Sequence, residues 1–309
     1  NFIDLEYFSK FEAFLTLLQN DHHYWRDNLR LIIDPWNGKV TQIITDPEIR
    51  RFDKVYIDFS TNDLNTYLNK NSEFIHKKYK WLYHYLKKEK LIKKINQYIE
   101  KVEDDFKIAD QREPYENIES NFSKSFRNEI NNLKRTEEKI LNILEKNPNS
   151  SWSKNNSGIS LILYDHTPLH DLTFHFEKST PLEWIGIDLN NDKTISKGEP
   201  IFYLKQNTKS INLPITFYAN RIKKTNNSNK IGHDLEVNFT KTKINFISNN
   251  NVKPYKISAK NFFTKKEFEL QILNDDKGVM ISKFNKIIFS KDQVKPVENL
   301  SGKIIVNKD

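Results

Sequence analysis

The chain of 309 residues has no cysteine, one methionine and only seven glycines. Without thiols there are no disulfides, thiolate metal centres or cysteine nucleophiles. The absence assigns no compartment. No apolar run approaches the roughly 20 residues needed to span a bilayer, so no membrane span is expected. No secretory signal is visible either. The chain begins with Asn rather than Met, as expected of a mature or cut form, or of the tail of something longer. Scarce glycine and alanine beside abundant Asn, Lys and Ile reads as a drift toward AT-rich codons and carries no function.

What is present supports folding. Apolar residues make up 37% of the chain, with 21 Phe and 13 Tyr, enough to build a buried core. The length suits two or three domains. The formal charge of +8, from 49 basic and 41 acidic side chains, is a mild excess. Its densest stretches are 76–95, "HKKYKWLYHYLKKEKLIKKI", and 220–230. In the first, Tyr79, Leu82, Tyr83 and Leu86 fall at helical spacing. They read as the buried stripe of a helix rather than as a base-stacking platform. No nucleic-acid partner is expected.

Periodicity divides the chain into two kinds of structure. Residues 4–20 read as a helix, with Phe8, Phe11, Phe14, Leu15 and Leu18 on one face. Residues 29–33 and 40–44 read as two strands of a hairpin, joined by the turn "DPWNGK", in which Asp34 is a turn residue. From about 60 to 147 the pattern is helical, with a long run over 72–110 that breaks once and another over 117–146. "NPNSSWSKNNSG" at 147–158 reads as a linker. Beyond it come short alternating strands such as "LTFHF", with Leu172, Phe174 and Phe176 on one face. The predicted class is α+β: a helical region with a β-hairpin over 1–147, then a β-sandwich over 158–309. The polar insert at 223–233 marks a sub-boundary if the β region is two small sandwiches.

The connector "DHHYWRDN" at 21–28 crowds two Asp, two His, an Arg and an Asn between the first helix and the hairpin. A solvated loop is the plain explanation. The sharper one follows from order: helix, connector with Asp21 and Asn28, hairpin, Asp46. Phosphoryl transfer of the protein-kinase kind uses this order. A carboxylate takes the proton of the attacking hydroxyl, and an Asn and a second Asp hold the Mg²⁺ that bridges the ATP phosphates. A hairpin returns the chain to its starting end, so Asn28 and Asp46 are expected to face each other across its mouth.

The segment "FSKFEAFLTLLQNDHHYWRDNLRLIIDPWNGKVTQIITDP" resembles the spore-coat protein H (CotH) kinase-like family. It shares an apolar helix, an Asp/His-rich connector, an Asn leading into a strand, a D-P-x-x-G-K turn and a strand ending in an acid. The resemblance covers about residues 5–145, with the motif in some 40 of them, and extends to the helices after "IDFSTNDLNTYL". It implies a helical region like a kinase C-lobe, with Asp21 as base and Asn28 and Asp46 as magnesium ligands for ATP. Asp27 competes for either role. It also implies an upstream ATP-binding lobe, a protein substrate or surface partner, and a cell-surface or extracellular setting. On that reading the isolated chain is inactive.

A second pattern, "DLNNDKTISKGE" at 188–199, follows the spacing of a calcium loop. Asp188, Asn190, Asp192 and Glu199 occupy positions one, three, five and twelve, and Ile195 the apolar position eight. Lys193 stands where a glycine is wanted. No helix pair flanks the loop, so a polar hairpin loop explains these residues more simply, and calcium is expected to bind weakly if at all. Two functions are then compatible with the sequence: a kinase-like phosphotransferase, or a non-enzymatic surface or structural protein that presents a β-sandwich for binding.

Overall fold

In the computed structural model of the protein, Asp4 starts α1 (Leu5–Leu18). Its Oδ1 accepts the backbone N–H of Glu6 at 3.1 Å and of Tyr7 at 3.0 Å, satisfying two donors left open at a helix start. At the other end Gln19 takes φ 54, in the left-handed region, and its N–H closes the last turn on Leu15 and Thr16. Phe8, Phe11, Ala13, Leu15, Leu17 and Leu18 are buried.

The structure describes residues 2–20, 30–43, 49, 54–59, 63–112, 122–156, 158–190, 192–196, 199–204, 208–222, 238–239, 241–250, 252–273, 288–289 and 303–305. The chain forms two units. The first comprises Asn1–Asn69, Phe74–Leu144 and Thr225–Val237; the second, Lys70–Glu73, Glu145–Lys224 and Asn238–Asp309.

In the first unit, α1 is followed by the hairpin β1 (Arg30–Ile33) and β2 (Val40–Ile43), then α2 (Asp63–Asn69), α3 (Ser72–His84), α4 (Leu91–Arg112) and α5 (Phe122–Glu145). The break expected within 72–110 is a π-helical turn, Tyr85–Glu89, closed by Lys90 at φ 49. Tyr79, Leu82 and Leu86 are buried on the same side across it, so the extra residue of the π turn is absorbed without turning the apolar stripe outward. The Trp81 indole N–H donates to Glu6 Oε1 at 2.6 Å, which ties α3 to α1. Ile130, Leu133, Ile140 and Leu144 line the buried side of α5, as its spacing predicts.

The second unit is a β-sandwich. Its strands are β3 (Ser150–Asn155), β4 (Gly158–Leu163), β5 (Leu169–Thr180), β6 (Trp184–Asp188), β7 (Ile201–Tyr203), β8 (Thr208–Phe217), β9 (Arg221–Ile222), β10 (Asn238–Phe239), β11 (Thr242–Ser248), β12 (Lys256–Asn261), β13 (Glu267–Glu269), β14 (Gln271–Ile272), β15 (Ile288–Phe289) and β16 (Lys303–Ile305). One sheet runs β14-β3-β4-β11-β6-β7-β16, the other β13-β12-β5-β8-β15, and β9 pairs with β10 alone. The β14–β3 and β16–β7 pairings are parallel; the remaining pairs are antiparallel. Leu172, Phe174 and Phe176 of β5 all point into one core, because alternate strand residues share a face. Phe174 meets Phe246 of β11, in the other sheet, with ring centroids 5.2 Å apart.

One sequence expectation needs correcting. Residues 147–158 are not a linker throughout: 150–155 form β3, paired along its length with β4. Trp152 within it is fully buried in the sandwich core. The Asn and Ser residues that suggest a linker sit at strand positions, Ser150, Ser151 and Asn155 half-buried and Ser153 buried, and a single large aromatic supplies the strand's anchoring energy.

Candidate functional site

The hairpin that would frame a phosphoryl-transfer site is well defined. Arg30 pairs with Ile43 and Ile33 with Val40. Asp34 makes the turn: its Oδ1 accepts Trp36 N–H at 2.9 Å and its Oδ2 the Asn37 amide at 2.6 Å. Gly38 N–H closes on Asp34 O at 2.8 Å with φ 67, a conformation natural to glycine. The open end of the hairpin, at Arg30 and Ile43, is joined to the segments that carry Asn28 and Asp46. Asp21, Asn28 and Asp46 themselves, with His22, His23 and Asp27, lie outside the described residues, and so does their expected approach across the mouth.

Next to that open end is a buried polar network drawn from four parts of the first unit. Glu12 of α1, Gln42 of β2, Asp58 and Lys78 of α3 are all essentially inaccessible to solvent. Lys78 Nζ stands 3.3 Å from Asp58 Oδ1 and also donates to the Ile57 carbonyl. Tyr79 OH donates to Asp58 Oδ2 at 2.7 Å. Gln42 Nε2 donates to Glu12 Oε1 at 3.3 Å, while Gln42 Oε1 has no partner among the described residues. The end of α1 is held in the same region. Gln19 accepts Tyr56 N–H at 2.8 Å and donates to Tyr56 O at 3.0 Å, and Thr16 Oγ1 donates to Ile57 O at 3.4 Å.

Among the described residues, one ammonium stands beside two carboxylates, and it is bonded to Asp58. Burial pushes the Glu12 carboxyl up to about 7, opposed by the Lys78 charge and the Gln42 hydrogen bond, and reinforced by the negative charge of Asp58. A protonated Glu12 can donate to the Gln42 amide oxygen if that amide is turned over, which would satisfy the orphaned acceptor. Buried ionisable groups cost desolvation energy that hydrophobic residues would not, and such clusters concentrate where chemistry is done. The sequence does carry a trace of them. Glu12 lies between Phe8 and Leu15 on the apolar face of α1, and Lys78 between Ile75 and Leu82 on that of α3. A charge inside a buried stripe is the available signal, and periodicity alone treats it as noise.

In the second unit the acidic loop is drawn together. Asp188 and Glu199 are buried. Asp188 accepts the N–H groups of Asp192 at 3.2 Å and Lys193 at 3.0 Å. Glu199 accepts those of Leu189 at 2.7 Å, Asn190 at 3.2 Å and Ser196 at 2.8 Å. Asn190 bonds to Asp192 through its amide at 2.9 Å, and Thr194 N–H reaches Asp192 Oδ1 at 2.8 Å. Hydrogen bonds from Thr194 hold the Asp192 carboxyl below its ordinary range. Lys193 adopts φ 67, the left-handed conformation expected where a calcium loop carries glycine. No cluster of three or more His, Cys, Asp or Glu side chains among the described residues is arranged to hold a metal ion; here the carboxylates are turned to backbone amides.

A second titratable group escaped the sequence reading. His170 of β5 is buried, with Nδ1 2.8 Å from Thr216 Oγ1 and Nε2 3.5 Å from Asp171 Oδ2. Asp171 occupies a β-bulge at φ 48. Burial pushes His170 down to about 4. The order hydroxyl, imidazole, carboxylate resembles a nucleophilic triad, but Thr216 is fully buried and closed to any substrate. No helix among the described residues is long and apolar enough to cross a membrane. No family model, curated protein or solved structure matches the chain.

Proposed function

We propose that the first unit is a kinase-like phosphotransferase region of the spore-coat protein H type. Asp21 serves as the base toward a protein hydroxyl, and Asn28 and Asp46 as the ligands of a Mg²⁺ ion that carries ATP. The observation that supports this reading most is the buried Glu12–Gln42–Asp58–Lys78 network. It ties the middle of α1 to the end of β2, and the bonds of Thr16 and Gln19 to Ile57 and Tyr56 hold the end of α1 beside it; the connector and the segment bearing Asp46 depart from these two elements. A site that must hold oxygen ligands to within a fraction of an ångström needs rigid supports. Phosphoryl transfer also needs groups on both sides of the nucleotide, and the residues named supply one side. The chain alone is therefore expected to bind Mg²⁺·ATP weakly and to transfer no phosphate.

The test is titration with a fluorescent ATP analogue in the presence and absence of Mg²⁺, for the native chain and for Asp46→Ala and Asn28→Ala. Magnesium-dependent binding that both substitutions abolish is the expected result. Equal binding by all three proteins removes the metal-site reading. Transfer of labelled phosphate that Asp46→Ala abolishes would show a complete kinase and overturn the one-sided site.

The acidic loop favours a second reading, a surface or structural protein in which the sandwich presents a binding face. Asp188 and Glu199 are buried and already held by backbone amides, so weak calcium binding there would stiffen the loop. A cell-surface or extracellular setting, taken from the family resemblance, suits either reading.

A further inference from the structure

The β1 strand is apolar and stands at an edge. Its four residues, Arg30–Ile33, are all exposed: Leu31 is 50%, Ile32 45% and Ile33 68% accessible. Among the described residues, the only strand paired with it is β2. Exposed apolar edges invite another strand, and proteins usually blunt them.

Asp34 N–H bonds to Lys39 O at 2.8 Å, so Asp34 and Lys39 are a hydrogen-bonded pair of the ladder. Antiparallel pairs alternate. Ile33 opposite Val40 is then a non-bonded pair, Ile32 opposite Thr41 bonded, and Leu31 opposite Gln42 non-bonded. Contacts on the far side of β2 agree. Val40 N–H bonds outward to Phe2 O at 2.7 Å, Asp4 N–H bonds to Val40 O at 3.4 Å, and Gln42 O accepts Tyr7 OH at 2.7 Å. On β1, the N–H and C=O groups of Leu31 and Ile33 therefore point to the open edge.

We propose that this edge pairs with the β1 edge of a second copy of the chain, antiparallel about a two-fold axis at Ile32. The parity fits. Leu31 falls opposite Ile33 of the second copy, and both carry outward groups, so two such pairs make four backbone hydrogen bonds. Ile32 meets its own copy in the closer non-bonded pair. The charges fit as well: Arg30 falls opposite Asp34 of the second copy, twice, and opposite charges directly across a ladder attract. An isologous interface requires this self-complementarity. The pairing adds a strand to an exposed edge and makes a four-stranded sheet from two hairpins.

Sedimentation of the full chain from roughly 10 µM to 1 mM, spanning weak association energies, tests the pairing. The native chain should dimerise with rising concentration. Ile33→Pro removes only an outward donor, since Ile33 gives no bond to Val40, so the hairpin keeps its ladder while association falls at least tenfold. Arg30→Asp should weaken the dimer similarly, and Arg30→Asp with Asp34→Arg should recover it. Asp34→Asn retains the turn acceptor and should weaken association a few-fold. A chain that stays monomeric throughout overturns the proposal, as would an edge filled by a different strand. So does a dimer that Ile33→Pro and Arg30→Asp leave unchanged. So does a charge reversal that fails to recover association while Asp34→Asn has no effect.

Discussion

Glu12 sets a pH dependence that opposes the one set by His170. The ordinary glutamate value is 4.5, and in the fold Glu12 is raised to about 7. Between those values the folded chain holds a proton that the unfolded chain has lost. Stability therefore declines as pH rises across that window and levels off above it. The shift corresponds to roughly 3 kcal/mol, large against the total stability of a domain. His170 runs the other way: burial lowers it from 6.5 to about 4, so the folded chain resists protonation and stability falls as pH drops below 6.5. The two windows overlap between about pH 4.5 and 6.5 with opposite slopes, so in a common transition they largely cancel, and each substitution should unmask the other limb in urea unfolding from pH 4 to pH 8. Glu12→Gln should leave stability falling as pH drops below 6.5, and His170→Gln should leave it declining as pH rises toward 7. An alkaline limb that survives Glu12→Gln would show that another group carries it.

At the scale of elements, loops depend on residues in left-handed conformations that are not glycine. Lys193 is the informative one, at φ 67 in the Asp188–Glu199 loop. A side chain there costs about 1 kcal/mol over glycine. Lys193→Gly removes that cost and one positive charge from a loop of three carboxylates. The substitution should raise the unfolding midpoint of the sandwich and tighten calcium binding by roughly tenfold, in line with the relieved strain and added negative field. Isothermal titration with Ca²⁺ measures it. Tight binding by the native loop would contradict the weak affinity expected, and no gain with Lys193→Gly would show that backbone conformation does not limit the site. The Tyr85–Glu89 π turn offers a contrasting case, in which an irregular backbone preserves a buried stripe instead of creating a site.

For the whole molecule, the boundary between the units has a practical consequence. β3 holds Trp152 in the sandwich core and forms six residue pairs with β4, from Ser150–Leu163 to Asn155–Gly158. A fragment beginning at residue 158 lacks this strand and exposes the edge of β4 that it pairs with. A fragment beginning at residue 145 keeps it. The longer fragment should give a cooperative thermal transition and the shorter one should aggregate or unfold, because losing a buried tryptophan alone costs about 3–5 kcal/mol. Cooperative folding of both fragments would mean that β3 contributes little. Lys146 belongs to the same boundary, its carbonyl accepting from the Asn261 amide at 2.8 Å, so proteolysis is expected to spare 147–158.

Short-range patterns were enough to place most elements. The three-and-four spacing of Phe8, Phe11, Leu15 and Leu18 implies α1, and the alternation of Leu172, Phe174 and Phe176 implies β5, because a single buried face imposes those periods. Asp-Pro and Asn-Gly mark the turn at Asp34, since their backbone preferences are local. The change from helical to strand period also implies an α+β chain with a β-sandwich. Position in three dimensions decided the rest. Nothing near Lys78 in the chain indicates Asp58, twenty residues away, or Glu12, sixty-six residues away, and only their shared burial makes an ion network of them. Nor does local sequence distinguish a serine-rich linker from β3, because Trp152 becomes an anchor only when β4 and β5 build the core around it. Local sequence sets what each segment prefers; whether a charge is buried, paired or left over depends on which distant segments enclose it.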